Sequence, residues 1–305
     1  MIRVEDVSKS FGDVIAVDHV TLNIPKGTIL GMIGPNGAGK TTLVRMMVGI
    51  LQPTNGTCYV NDIPSMQLNS KQRANIGYMT QQRALYPDLT VRENLEFFAL
   101  SYGVRDPQKR KELINHAAKL TQITDSLERP VEVLSGGTVQ RLSLACAIVH
   151  DPDIIFLDEP TVGVSPELRM EFWDYFQKLS RNGKTIVMTT HYLDEASRCD
   201  DVAMIFQGRI LSHGAPEEVI GSLPLESTIS GIINPDDSIR FQDILGKIAP
   251  IEVKGQRFII TTNNDEILQR TFKALVTSDI KIHDIVVSQP GLEEAFTYLV
   301  RRGQQ

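Results

Sequence analysis

The spacing of apolar and polar positions changes several times along the chain, and each change marks an expected element. Residues 2–27 alternate and turn, which predicts short antiparallel strands near 2–7, 15–17 and 20–24. The unbroken run Thr28-Ile29-Leu30-Gly31-Met32-Ile33 reads instead as a strand buried on both faces. Behind it Leu43, Val44, Met46, Met47 and Ile50 recur at helical spacing. Pro53-Thr54-Asn55-Gly56 is a turn, and strands are expected at 56–60 and 76–79. From Leu85 to about Arg129 the pattern becomes helical. Thr90-Val91-Arg92-Glu93 forms a capping box, and Asp106-Pro107 starts a second helix with Leu113, Ile114, Ala117 and Leu120 on one face. A helix is expected over 139–149, and Ile154-Ile155-Phe156-Leu157 is a second buried strand. Ser165-Pro166 caps a helix through 179, a third buried strand spans 184–190, and a hairpin at 202–211 leads to a closing helix at 215–221.

At Ser222-Leu223-Pro224 the organisation resets. Strands are expected near 228–233, 251–254, 257–262 and 281–287, with helices near 239–247, 265–277 and 291–301. The expectation is therefore two domains. Residues 1–221 form an α/β domain with an antiparallel β subdomain and a helical insertion at 85–129, and residues 222–305 form a small α+β domain.

Composition narrows this picture more than it adds to it. The 305 residues are 42% hydrophobic and 22% charged, ordinary for a globular chain. A net charge of −6 gives no electrostatic case for nucleic acid or an anionic membrane. Cys58, Cys146 and Cys199 stand apart, so neither a zinc site nor a disulfide framework is indicated, which suits a reducing cytosol. The N-terminus carries acids rather than an apolar signal region. No apolar run approaches the roughly 18 residues that would suggest a bilayer span, so any membrane role is expected to come through a partner.

The candidate chemistry centres on Gly34-Pro35-Asn36-Gly37-Ala38-Gly39-Lys40-Thr41-Thr42, which fits the phosphate-cradling pattern G-x-x-x-x-G-K-[ST]. Chance alone produces that pattern in roughly one chain in a hundred of this length, and here it also lies between a strand and a helix. Glycines let several N–H groups turn toward phosphate oxygens, and the helix dipole adds positive potential. Lys40 would reach the β- and γ-phosphates, and Thr41 would help hold Mg2+. Asp158 and Glu159 end an apolar strand: the first suits Mg2+ through water, the second suits accepting a proton from attacking water. His191 follows the next buried strand, where it would face the ligand crevice and reach the γ-phosphate or the water. Phe11 precedes the loop and is the candidate for stacking on adenine. Leu134-Ser135-Gly136-Gly137 opens a helix and is either a second anion site or an ordinary helix start.

Taken in order, Phe11, the 34–42 loop (Walker A), Gln81 (Q-loop), Leu134-Ser135-Gly136-Gly137 (signature), 154–159 (Walker B) and His191 (switch histidine) resemble the ATP-binding subunit of ABC transporters over roughly residues 1–220. Two wider stretches, 86–95 and 160–164, look like the exporter group with separate membrane subunits, drug-resistance and ABC-2-type proteins included. The tail at 290–296 resembles their accessory C-terminal domain. The resemblance implies a P-loop ATPase and a head-to-tail dimer. Ser135, Gly136 and Gly137 of one copy would cover ATP held by Lys40 of the other, hydrolysis would drive membrane-spanning permease partners, and Gln81 would sense Mg2+ and the γ-phosphate. Thr138 stands where glutamine is common, and Ser165 stands where an aspartate is usual in the turn after Walker B. Two other readings belong beside this one. A soluble ABC-type ATPase acting on nucleic acid or ribosomes would usually carry long insertions or tandem nucleotide domains, and a small-molecule P-loop kinase would lack the signature and the histidine.

Overall fold

The computed structural model describes residues 1–82, 84–278, 280 and 282–303, and the chain divides into two compact units, Met1–Pro216 and Glu217–Gln305. In the first unit the elements run β1 (Ile2–Phe11), β2 (Val14–Ile24), β3 (Ile29–Ile33), α1 (Lys40–Val48), β4 (Asn55–Val60), β5 (Ile63–Pro64), α2 (Ser70–Arg73) and β6 (Ile76–Met79). They continue with α3 (Val91–Ser101), α4 (Pro107–Leu120), α5 (Gly136–Ile148), β7 (Ile154–Asp158), α6 (Pro166–Arg181), β8 (Thr185–Thr190), α7 (Leu193–Ala196), β9 (Asp201–Phe206) and β10 (Arg209–Gly214).

Two sheets share one core. An antiparallel sheet has the order β2-β1-β4-β5, and a six-stranded sheet has the order β10-β9-β3-β8-β7-β6. In the second sheet β9, β3, β8, β7 and β6 are parallel, and β10 returns antiparallel to β9. β3, β7 and β8 are buried at every residue, which is why their sequences read as continuous apolar runs rather than alternating ones. Leu43, Val44, Met46 and Met47 of α1 join Ile2, Val4 and Leu22 of the antiparallel sheet to Phe156 and Val187 of the parallel one. Each buried side chain of this size contributes roughly 1.5–3 kcal/mol, so α1 is held firmly with its first residue, Lys40, at the carboxyl edge of β3.

One expectation is corrected. The stretches 15–17 and 20–24 form one strand, β2, not two. Asp6 and His19 adopt left-handed φ of 48° and 50°, and the β1–β2 register shifts beside them. These bulges carry the pairing through a point where the sequence pattern looks like a turn. The caps fall where sequence placed them: Thr90 and Glu93 complete a capping box, Asp106 caps α4 with Pro107 at its first position, and Ser165 caps α6. α3, α4 and α5 pack on one another, so the helical layer includes the helix that follows Ser135 as well as the expected insertion. β5, α2 and α7 are short additions that the pattern did not announce.

In the second unit α8 (Pro216–Gly221), which begins at the division, is followed by β11 (Ser227–Ile233), α9 (Ser238–Leu245), β12 (Ile251–Lys254), β13 (Arg257–Thr262), α10 (Asp265–Thr277), β14 (Ile282–Ser288) and α11 (Leu292–Gly303). The sheet is wholly antiparallel with order β12-β13-β11-β14, a split β-α-β arrangement. Ile229, Ile233, Phe258 and Ile260 of the sheet pack against Phe241 and Leu245 of α9 and Leu275 of α10. Lys281, where the last strand was expected to start, lies outside the described residues. No helix among the described residues is long and apolar enough to cross a membrane.

Candidate functional site

The parallel sheet brings four segments to one edge. β3, β6, β7 and β8 run in the same direction, so the loop 34–39, Gln81, Asp158-Glu159 and Thr190-His191 all lie at or just beyond the carboxyl ends of strands. That edge is where ligands bind in open α/β sheets. A cavity of about 200 Å³ opens there, lined by Ala16, Asn36, Gly37, Ala38, Gly39, Lys40, Thr41, Thr42, Gln81 and Glu159.

The loop's glycines are there for steric reasons. A Cβ on Gly34 would meet the Ile205 carbonyl oxygen at 2.2 Å, far inside contact distance. Gly39, at φ 103°, precedes α1 in a conformation that side-chain-bearing residues rarely adopt. The turn so formed aims Lys40 back across the loop. Its ammonium is buried and donates to the carbonyls of Gly34 (2.7 Å) and Pro35 (3.1 Å). Burial lowers its pKa, while Glu159 and Asp158 pull the other way.

Asp158 and Glu159 are adjacent but differently held. Asp158 is 1% exposed, and its Oδ1 accepts from the hydroxyls of Thr41 (2.9 Å) and Thr189 (2.6 Å). Its Oδ2 is buried with no hydrogen-bond partner. Leaving a carboxylate oxygen orphaned is costly, so that atom, beside the Thr41 hydroxyl, is the donor set a hard cation takes. Glu159 has a left-handed φ of 53°, and its N–H donates to Thr189 Oγ1 at 2.9 Å. This backbone twist turns its carboxylate out of the sheet edge to the cavity, where Gln81 Nε2 donates to Oε2 (3.1 Å) and His191 Nδ1 lies 3.9 Å from Oε1.

The remaining candidates stand elsewhere. Phe11 ends β1, is 51% exposed and does not line the cavity, and the Lys9 ammonium sits 5.2 Å from its ring centre. Ser135, Gly136 and Gly137 are likewise not among the lining residues. They open α5, where Ser135 Oγ accepts from Thr138 N–H (3.2 Å) and pairs with the Thr138 hydroxyl (2.8 Å). A Cβ on Gly136 would meet nothing within 4 Å, so that turn presents an open face.

Sequence reasoning missed Ala16 and Thr189. Ala16 reaches the cavity from β2. Thr189 sits opposite Asp158 in the β7–β8 register, so its hydroxyl touches both acids' neighbourhoods. The signal was the polar residue near the end of an otherwise apolar strand, Thr189-Thr190, which only the strand pairing makes specific.

Comparison with known proteins agrees with this geometry. Residues 17–162 match the family model for ABC transporters. The chain is 34% identical over 271 residues to the Nod factor export ATP-binding protein I of Burkholderia lata, covering 88% of each chain. It is 39% identical over 219 residues to a probable multidrug ABC transporter ATP-binding protein, YbhF, of Escherichia coli; the match takes in 72% of this chain and 38% of that longer protein. Among solved structures, the ATP-binding cassette MJ0796, as a post-hydrolysis dimer bound to ADP and Pi, superposes with TM-score 0.65 and 28% identity over 70% of this chain and 98% of that one. The phosphate loop, the paired acids and these relatives agree: the chain belongs to the ATP-binding, ATP-hydrolysing proteins of the ABC transporter family.

Proposed function

We propose that this chain is the motor subunit of an exporter, hydrolysing ATP as a head-to-tail dimer at the inner face of the membrane and driving separate membrane-spanning subunits. The observation that carries the reading is the placing of Glu159 and Gln81 across one cavity from Lys40 and Thr41. The export functions named for the Nod factor and multidrug relatives favour the outward direction. The net charge of −6 does not favour the nucleic-acid alternative.

In this reading the N–H groups of 34–42 and the Lys40 ammonium hold the phosphates, with Lys40 exchanging its two carbonyl partners for phosphate oxygens. Thr41, Asp158 and Gln81 are the residues that would hold Mg2+, which supplies neutralising charge to the phosphates when bound. Glu159 takes the proton of the attacking water, and His191 hydrogen-bonds the γ-phosphate or that water. Phe11 stacks on adenine. Ser135, Gly136 and Gly137 cover the nucleotide bound by the other copy, which fits their position outside the cavity of their own chain and their open face.

The test is Glu159→Gln, which keeps the side chain's size and its bond with Gln81 but removes the base. That role is typically worth about 10²–10⁴ in rate. The variant should bind ATP normally, hydrolyse it at least about a hundredfold more slowly and accumulate as an ATP-dependent dimer in size-exclusion chromatography with light scattering, using Mg-free ATP. Adding Ser135→Arg should abolish the dimer. A nucleotide-bound monomer under every condition would sink the shared site.

A further inference from the structure

Glu195 is a carboxylate the proposed mechanism does not use. It sits in the short helix α7 and is 1% exposed. Its Oε2 accepts from the hydroxyls of Thr161 and Thr190, both at 2.9 Å. Its Oε1 lies 3.3 Å from Nε of Arg169, a contact of charges in which neither buried atom has a hydrogen-bond partner. Burial pushes the Glu195 carboxyl above the usual range, and the two threonine hydrogen bonds and Arg169 oppose that.

The three partners come from three segments. Thr161 lies in the turn that follows Glu159; Thr190 immediately precedes His191; Arg169 is in the first turn of α6, its N–H bonded to the Ser165 carbonyl at 3.0 Å. The contacts run on from there. The Thr190 hydroxyl accepts from Tyr192 N–H (3.0 Å), the Arg169 guanidinium stacks 4.3 Å over the Tyr192 ring, and that ring lies 4.1 Å from the His191 ring. A buried anion of this kind is a poor source of stability, because its desolvation cost offsets most of the attraction it gains. What it provides is a fixed geometry for its donors.

We propose that Glu195 is a positioning residue that ties the turn at 160–165 to His191, so that movement of one is transmitted to the other. Ser165 carries no charge, so the ionic link from this turn toward the histidine runs through Arg169 and Glu195. The inference rests on the site reading above, in which His191 meets the nucleotide and each nucleotide is shared between two copies.

The experiment is steady-state hydrolysis of Mg-ATP by the full chain, with kcat, KM, the Hill coefficient and the thermal midpoint measured together. Glu195→Gln keeps the shape but loses the charge, and Thr161→Val removes one donor while keeping volume. Both should lower kcat about tenfold, leave KM within about twofold and bring the Hill coefficient toward one. The double variant should be little worse than either single, because the two residues act through one link. If Glu195→Gln does not fold, Thr161→Val carries the test alone. Unchanged kcat and Hill coefficient in folded protein would overturn the proposal. So would kcat, KM and thermal midpoint falling together, or additive losses in the double variant. Glu159→Gln run alongside separates the two levels. If it still turns over, the site reading fails and takes this inference with it. If it is inactive while Thr161→Val behaves as wild type, only the Glu195 link is wrong.

Discussion

Lys40 shows how a single residue can be built for a ligand. Its ammonium is buried and spends its hydrogen bonds on two backbone carbonyls, a neutral pair that phosphate oxygens would replace with charge-assisted bonds. Lys40→Ala should therefore weaken ATP binding about ten- to a hundredfold, measured by titration calorimetry, while Glu159→Gln stays within about threefold of wild type. Equal losses in both variants would mean that Lys40 is not the phosphate ligand. At this scale the contiguous candidates were legible, because a glycine loop and a pair of acids each state their chemistry within a few residues. Thr189, Thr161 and Glu195 were not. A threonine hydroxyl on a strand or turn carries no signature until the β7–β8 register sets it beside Asp158, or α7 folds Glu195 back between two segments.

Among the elements, α3 and the loop that leads into it from the Gln81 segment carry exposed apolar side chains. Tyr86, Phe97 and Leu100 are 44%, 42% and 49% exposed, and the Tyr86 and Phe97 rings meet edge-on at 4.7 Å. Exposed apolar side chains beside the Gln81 segment suit contact with the membrane subunit of the proposed function, and we propose that it docks here. A charge placed at Phe97 or Leu100 should then abolish co-purification with the membrane-spanning partner while ATP affinity changes less than about twofold. Joint loss of both would indicate misfolding instead of lost docking. The starts of α3 and α4 were readable, since Thr90 with Glu93 and Asp106 with Lys109 act through bonds three residues apart, whereas α5 begins at Gly136, three residues before the expected 139. The reach of the helical layer through α5 was not readable, because which helix packs on which is a tertiary property. The single β2 strand escaped notice for a related reason: the bulge at His19 interrupts the alternation without interrupting the pairing.

For the whole molecule, the nucleotide cavity and all its lining residues lie within Met1–Pro216. Sequence placed the boundary at 221, the structure at 216, and the difference is α8, which sequence reads as the closing helix of the first domain and which starts at the division. A chain ending at Gly221 should bind and hydrolyse ATP with KM within about threefold of the full chain. A folded fragment without nucleotide binding would show that the two units are not independent. Within the second unit β13 lies between β11 and β12, and β14 pairs with the other edge of β11. During synthesis the three strands β12-β13-β11 are all in the chain once Thr262 has been made, while β11 keeps one open edge until Ser288 follows. That edge presents a row of N–H and C=O groups to any other extended chain, so β14 guards the unit against edge-to-edge association as well as completing its sheet.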